Sequence, residues 1–473
     1  MVQVARRVLQ ENGFEPDFPP GLDATIPAKD PVEAARDMRE LPWSSIDNDD
    51  SRDLDQVEVA DRRPDGSIRV LIGIADVDAL VPKQSPVDKA AWTNTCSLYT
   101  GVHTFPMLPE VLSTNRTSLL ADGKERLAVV TEMVVRKDGS LDDTQTAVYV
   151  ARVVNHAKLV YERVGAWLEN VPASQVPDPK IADQLKLQDE AAQRLRALRH
   201  LHGALDLETI EARPVMKDGQ VVDLEVQHKN RARELIEDLM IAANGATARL
   251  LEKLGRSSIR RVVAKPKRWD RIVELAQGLG TKLPAEPDAK ALNDFLGVRR
   301  AADPTRFADL SLSIVKLLGP GEYQLQRAAD PGIGHFGLAV EDYAHSTAPN
   351  RRYPDLITQR LLKAVASNAP APYSDDELTT LATHCTEREN GARKVERTMR
   401  KVAAASMLSS RIGDTFDAIV TGATDKGVYV RLLSPPAEGR VMRGEQGLDV
   451  GDAVRVKLLD TNVERGFIDF ARA

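Results

Sequence analysis

The sequence predicts a mixed α/β protein: one large domain, a mixed sheet surrounded by helices, followed by a small five-stranded β-barrel. Three observations predict it. Apolar alternation of period two begins at Val57, and helical spacing takes over near Leu185. The last stretch, residues 412–473, returns to short strands split by Gly and Asp turns.

At the N-terminus, "MVQVARRVLQENGF" lacks an apolar signal core and reads as an amphipathic helix near Val4 to Glu11. A Pro/Gly-rich link follows. A second helix is expected at "KDPVEAARDMRE", with Asp30 as cap and Pro31 at the first helical position. Residues 1–40 thus read as a short helical segment. Next, "VEVADRRPDGSIRVLIGIADV" is two alternating runs around a Pro-Asp-Gly turn, hence a hairpin. "RLAVVTEMVVRKDGSLDDTQTAVYVARVV" adds further strands. "LKLQDEAAQRLRALRHLHGAL" and "RARELIEDLMIAANGATARLLEKLG" carry helical spacing. A last helix opens on a capping box, Ser374 with Glu377, and runs toward Arg411. The large domain is therefore set at 41–411 and the barrel at 412–473.

Bulk properties exclude several classes. With 473 residues, 42% hydrophobic and 28% charged, the chain has the makeup of an ordinary soluble protein of a few domains. No run of about 18 apolar residues exists, so no membrane span is expected. Cys96 and Cys385 lie far apart in sequence and form neither a disulfide framework nor a zinc pattern, which fits a reducing cytoplasm. A net charge of −6 argues against a protein that coats nucleic acid and leaves room for a local basic channel. Nothing in the sequence calls for an obligate protein partner.

The densest chemistry is in "SSIDNDDSRDLDQVEVA". It holds Asp47, Asp49, Asp50, Asp53 and Asp55, with Glu58 just beyond. A calcium loop counted from Asp47 reaches Glu58 at position twelve. It fails at position six, where Arg52 stands in place of the glycine that the turn needs. A solvated acidic loop is the plain alternative. Against it, Ile46 and Leu54 are apolar anchors and the stretch runs straight into a strand. The third reading is a magnesium site for phosphodiester chemistry, because that ion takes hard oxygen ligands and leaves positions open for phosphate. Such a site needs basic groups for the backbone. "RLLEKLGRSSIRRVVAKPKRWDR", "NRRYP" and "RKVERTMRK" offer them, although any one basic run is more often a solvated face.

Taken together, these stretches resemble the ribonuclease II (RNB) family of exoribonucleases over residues 40–473. "SIDNDDSRDLDQ" is similar to the family's metal-binding aspartate motif. "IGIADVDALV", "SPVDKAA", "FPMLPEVLS", "AKLVYERV", "LIEDLMIAANGATARLL", "GHFGLAVEDYAHSTAPNRRYPDL" and "VERTMRKVAAASML" follow in the family's order. The barrel resembles the S-one-type OB domain that closes these enzymes.

The resemblance implies a magnesium-dependent, hydrolytic 3′→5′ exoribonuclease. It would act on single-stranded RNA, or RNA with a 3′ overhang, and release nucleoside 5′-monophosphates. By position, Asp47, Asp53 and Asp55 match metal or catalytic aspartates, with two ions expected during catalysis. Arg351 matches the arginine at the scissile phosphate. Tyr99 matches an aromatic that stacks on the strand. Tyr161 and Glu237, the first choice of the pair Glu237 and Asp238, match groups near the terminal ribose. Glu396 matches an acid near the centre. Tyr429 and Phe416, in barrel strands, are candidates for base stacking, with a core role open for Phe416.

Two departures stand out. Gln56 replaces the second of two adjacent aspartates. It is kept as a metal ligand through its amide oxygen, with Asp49 or Asp50 as possible compensation. A family member with an emptied metal site, binding RNA with little catalysis, is the alternative reading. Family members also usually carry cold-shock OB domains first, and forty residues are too few for one.

Overall fold

The computed structural model describes residues 1–28, 34–172, 178–208, 211–217, 219–227, 229–424 and 427–473. Its centre is a seven-stranded sheet. In spatial order the strands are Arg36–Asp37, Ala147–Val153, Arg126–Val135, Ile68–Ala75, Gln56–Arg62, Ser44–Asp47 and Ala157–Val160. The interior pairs are antiparallel, whereas both edge pairs are parallel. The expected hairpin is present, with Gln56 opposite Ile74 and Arg62 opposite Ile68.

Alternation explains why the sheet is covered on both sides. Ile68, Val70, Ile72 and Ile74 face one core, closed by helices Tyr161–Leu168, Pro179–Leu201 and Arg231–Lys253. Leu71 and Ala75 face the other with Val57 and Val59, under helices Pro86–Asn94 and Tyr353–Ala366 and the start of Asp375–Leu408. A separate small core joins helices Trp269–Gly278, Ala289–Ala302 and Pro304–Leu318.

The last helix begins with the expected capping box and runs 34 residues. Ala392, Val395, Met399 and Val402 on it pack against the N-terminal helix Val2–Glu11. Its end, through Ala403, Ala404 and Leu408, packs against the core of the C-terminal barrel. That barrel is closed and five-stranded, ordered Thr415–Thr424, Gly427–Leu432, Glu438–Arg443, Phe467–Arg472, Ala453–Asn462. Arg431 anchors it to the helix Pro304–Leu318 by a forked pair with Asp309 at 2.9 and 3.0 Å. Phe416 belongs to the barrel core at 5% exposed. Among the described residues no helix is long and apolar enough to cross a membrane.

One expectation is overturned. Residues 34–40 do not form a helix; Arg36–Asp37 is a short edge strand paired with Ala151 and Arg152. The cap assigned to Asp30 lies outside the described residues. Tertiary partners outweigh local propensity there. The Arg36 guanidinium covers the Tyr149 ring at 3.6 Å, and Trp43 Nε1 donates to the Met38 carbonyl at 2.8 Å.

Candidate active site

The acidic stretch is a loop, residues 48–55, between two adjacent strands of the sheet, and it is held at several points. Asp47 Oδ1 accepts from the Asn48 amide at 2.7 Å and from Ser51 Oγ at 2.8 Å. Ser118 Oγ donates to the Arg52 carbonyl and accepts from the Leu54 amide, at 2.6 and 2.9 Å. Lys158 Nζ holds the carbonyls of Asp49 and Ser51. Leu54 is buried in the core. A freely solvated loop has none of these ties.

The loop sorts its acids. Asp50 is exposed and paired with Arg213 at 2.7 Å, while Asp49 is exposed. Asp55 is 2% exposed and accepts from the Asn350 amide at 3.0 Å and from Arg351 Nε at 3.3 Å. Asp53 accepts from the Tyr99 hydroxyl at 3.3 Å. Burial raises the Asp53 carboxyl and pushes Asp55 up to about 7, with mutual repulsion adding to it against the pull of Arg351. Asp47 repels Asp53 as well. Three carboxylates and one guanidinium thus meet, although Arg351 lies 296 residues beyond Asp55.

Arg351 sits on a turn fastened from beneath. Asp355, fully buried, accepts from the amides of Thr347 and Ala348 and from Arg352 Nη2, each at 2.8 Å. Arg352 is thereby committed to Asp355. Arg351 keeps 43% of its side chain exposed, toward a small cavity.

That cavity, about 220 Å³, is lined by Arg351, Tyr99, Glu396 and Arg393, and also by both Cys96 and Cys385, so distant in sequence. Through Ser97, Tyr99 and Glu396 it meets a second of about 660 Å³. Through Pro214 and Arg400 this meets a third of about 580 Å³ against the barrel, bordered by Lys316, Arg397 and Lys401. The three share lining residues and lead, as one trench, from Arg351 past Asp53 to the barrel, while Asp47 and Asp55 border none of them. Of the basic runs, "RKVERTMRK" supplies the trench walls. Arg260 and Arg261, from the longest run, are buried in pairs with Glu252 and Glu389.

Tyr161 also belongs to the cluster. Arg233 lies over its ring at 4.5 Å, and its hydroxyl is raised by burial and then by Asp47 and Glu58. Glu237 is exposed and pairs with Lys229 at 3.4 Å, and no contact ties it to the aspartates. Asp238 is buried against Arg199, between two helices of the scaffold. Tyr429 is 40% exposed on the barrel, outside the three cavities. Gln56 shares a strand face with Glu58 and Ala60, turned to the core of Ile68, Val70, Ile72 and Ile74, and its Nε2 reaches the Ile46 carbonyl only at 3.5 Å.

Sequence reasoning missed Asn350, Asp355 and the placement of Glu58. Glu58 is wholly buried, and neither carboxylate oxygen has a partner. The donor set suits a hard divalent cation: buried, mutually repelling carboxylates short of positive charge. Among the described residues no three His, Cys, Asp or Glu side chains group tightly enough to enclose an ion. A divalent cation that keeps several waters and takes only one or two carboxylates tolerates this.

Comparison with known proteins agrees with this architecture. A family model described as the RNB domain matches residues 35–368, and one described as the RNase II-type exonuclease C-terminal S1 domain matches 414–473. Ribonuclease R of Vibrio parahaemolyticus is 29% identical over 474 residues, 92% of this chain and 55% of that protein. Exoribonuclease 2 of Escherichia coli is 31% identical over 432 residues, 90% of this chain and 65% of that protein. The chain therefore spans just over half to about two thirds of the length of these curated relatives. The apo form of Mycoplasma genitalium RNase R superposes with a TM-score of 0.88 at 22% identity, over 99% of this chain and 77% of that one. Yeast Ssd1, described as a pseudonuclease, gives 0.73 at 17% identity, over 93% and 55%.

Proposed function

The chain belongs to the RNB family, and from that premise we propose that it is a hydrolytic 3′→5′ exoribonuclease acting on single-stranded RNA. The observation that carries the reading is the joining of buried Asp55 to Arg351, with Arg351 and Asp53 on the wall of a trench whose other end is the barrel. A strand entering beside the barrel passes Lys316, Arg397, Lys401 and Arg400 before it reaches Tyr99. These cations hold backbone phosphates without reading sequence. Tyr99, 43% exposed at the junction of two cavities, presents a ring for a base.

Asp47, Asp53 and Asp55 would hold magnesium, two ions during turnover, with the amide oxygen of Gln56 as a weaker candidate. Bound there, magnesium supplies an activated water and neutralises phosphate charge. Arg351 is free to meet the terminal phosphodiester because much of its side chain faces the cavity. A guanidinium fixed at that point gains most as negative charge builds in the transition state. Asp355 fixes the turn that carries it. Tyr161, next in the chain to the strand partner of Asp47, is our assignment for the terminal ribose, where a 2′-hydroxyl contact separates RNA from DNA. Glu396 borders the same space. Glu237 retains only its match by position.

Purified protein with 5′-labelled single-stranded RNA tests this. Magnesium should produce progressive shortening from the 3′ end and release nucleoside 5′-monophosphates, and EDTA should stop it. RNA bound tightly but left intact at saturating magnesium would refute catalysis. It would support the second reading, an RNA-binding protein with an emptied site, which rests on Gln56 facing away from Asp55.

A further inference from the structure

The geometry points to Glu58 as a further carboxylate of the cation site, offered from the sheet face where Gln56 presents only a neutral amide, next to the strand end that carries Asp47. This inference rests on the magnesium site proposed above. It concerns a residue that the aspartate motif does not contain.

Glu58 is 0% exposed, and both of its carboxylate oxygens lack hydrogen-bond partners. A buried ionised carboxylate with neither donor nor counter-charge is among the most costly arrangements in a protein interior. The neighbours give no relief. Gln188 donates its amide to the main-chain carbonyl of Glu58 at 3.3 Å, not to the side chain. Ser44 pairs with Glu58 across the two strands, and its Oγ is itself buried and unpartnered. No Arg, Lys or His among the described residues forms an ion pair with Glu58. Asp47 is the charged neighbour that acts on it, and it repels.

A group this costly is tolerated where something else compensates it. Asp47 pairs with Val160, the residue before Tyr161, and Tyr161 packs on the core that Gln56, Glu58 and Ala60 face, so both carboxylates bear on its hydroxyl. A divalent cation there would turn the repulsion of two carboxylates into attraction for one ion, with water filling the remaining positions. The alternative compensators, Asp49 and Asp50, lie in the exposed part of the loop, and Asp50 is taken by Arg213. Glu58 also differs from its neighbours in the strand. Val57, Val59 and Ala60 are apolar and serve the two cores, while Glu58 inserts an acid into a buried position.

The test is a titration of the full-length protein, without RNA, with MnCl2 and MgCl2. Calorimetry and the paramagnetic signal of free manganese are the readouts. Glu58→Gln keeps the shape and removes the charge, and should weaken cation binding about tenfold or more. In EDTA this variant should melt no lower than the parent protein, while the rise in melting temperature on adding magnesium should shrink. Glu58→Leu should lose the same binding with an apolar side chain. Adding Gln56→Asp to Glu58→Gln should restore affinity. Unchanged cation affinity in both Glu58 variants would overturn the role of Glu58 and leave the nuclease reading standing. Absence of cation binding in the parent protein, together with absence of magnesium-dependent cleavage, would overturn both.

Discussion

Replacing Arg352 with alanine should damage the fold more than replacing Arg351, and turnover of the folded protein should show the reverse order. Asp355 has no exposed surface, and its Oδ2 already lacks a partner. Its charge is met by Arg352 at 2.8 Å and by two amides at the same distance. Breaking a buried ion pair on one side costs about 3–5 kcal/mol. The two amides remain in Arg352→Ala, so the low end, about 3 kcal/mol, is expected. Arg351 is 43% exposed and makes a single 3.3 Å contact to Asp55. Asp55 is buried, so the cost lies above the ~0–1 kcal/mol of a surface pair, but the contact is long and the Asn350 amide remains, so it stays below that of Arg352→Ala. Loss of Arg351 should instead lower single-turnover cleavage about 100-fold or more, the scale of one donor to a developing charge. Denaturant melts of both variants and single-turnover assays on labelled RNA supply the comparison. An Arg352→Ala protein as stable as the parent, or an Arg351→Ala protein with full turnover, would refute the assignment of the two side chains.

Asp55→Asn should abolish cleavage while RNA affinity, measured in EDTA, stays within about twofold, because the trench and barrel cations are untouched; substantial cleavage by the purified variant would remove Asp55 from the chemistry. Tyr429→Ala, at an exposed ring on the barrel, should weaken binding of long single-stranded RNA by about 1–3 kcal/mol and leave cleavage of bound RNA unchanged; unchanged affinity would confine the ring to the barrel surface. Arg431→Ala should free the barrel from Asp309, with earlier proteolytic cutting near residue 412 and a shallower dependence of RNA affinity on salt; an unaltered digestion pattern would show that the apolar contact alone holds the barrel.

The sequence made the local features readable. The Pro-Asp-Gly hairpin, the capping box at Ser374 and the barrel strands are set by neighbours a few residues apart, and they stand in the structure as expected. The failed helix at residues 34–40 shows the limit, because its competitor was a sheet edge more than 100 residues away. The meeting of Asp55 with Arg351 was reached only through resemblance to a family, since no periodicity links positions 296 apart. Asn350 acts through its backbone amide, and side-chain type carries no signal of that. Glu58 did leave a trace. In "QVEVA" an acid stands among residues that a buried strand would keep apolar, a local conflict of the kind that functional sites produce.

The helix Asp375–Leu408 passes from beneath the sheet to the barrel without a break. At 1.5 Å per residue its 34 residues span about 50 Å. On the reading proposed above, its part from Glu396, beside Tyr99, to Leu408, against the barrel, would be a fixed ruler of about 18 Å between the place where RNA is gripped and the place where it is cut. While the RNA is longer than the ruler, each cleavage leaves the grip intact and the strand slides inward. Once the remainder is too short to touch both ends, only the site near Tyr99 holds it, and dissociation competes with the next cut. The length of the final product is then a property of the scaffold, and it should change when the helix is shortened or extended by whole turns while every residue around Asp55 stays the same.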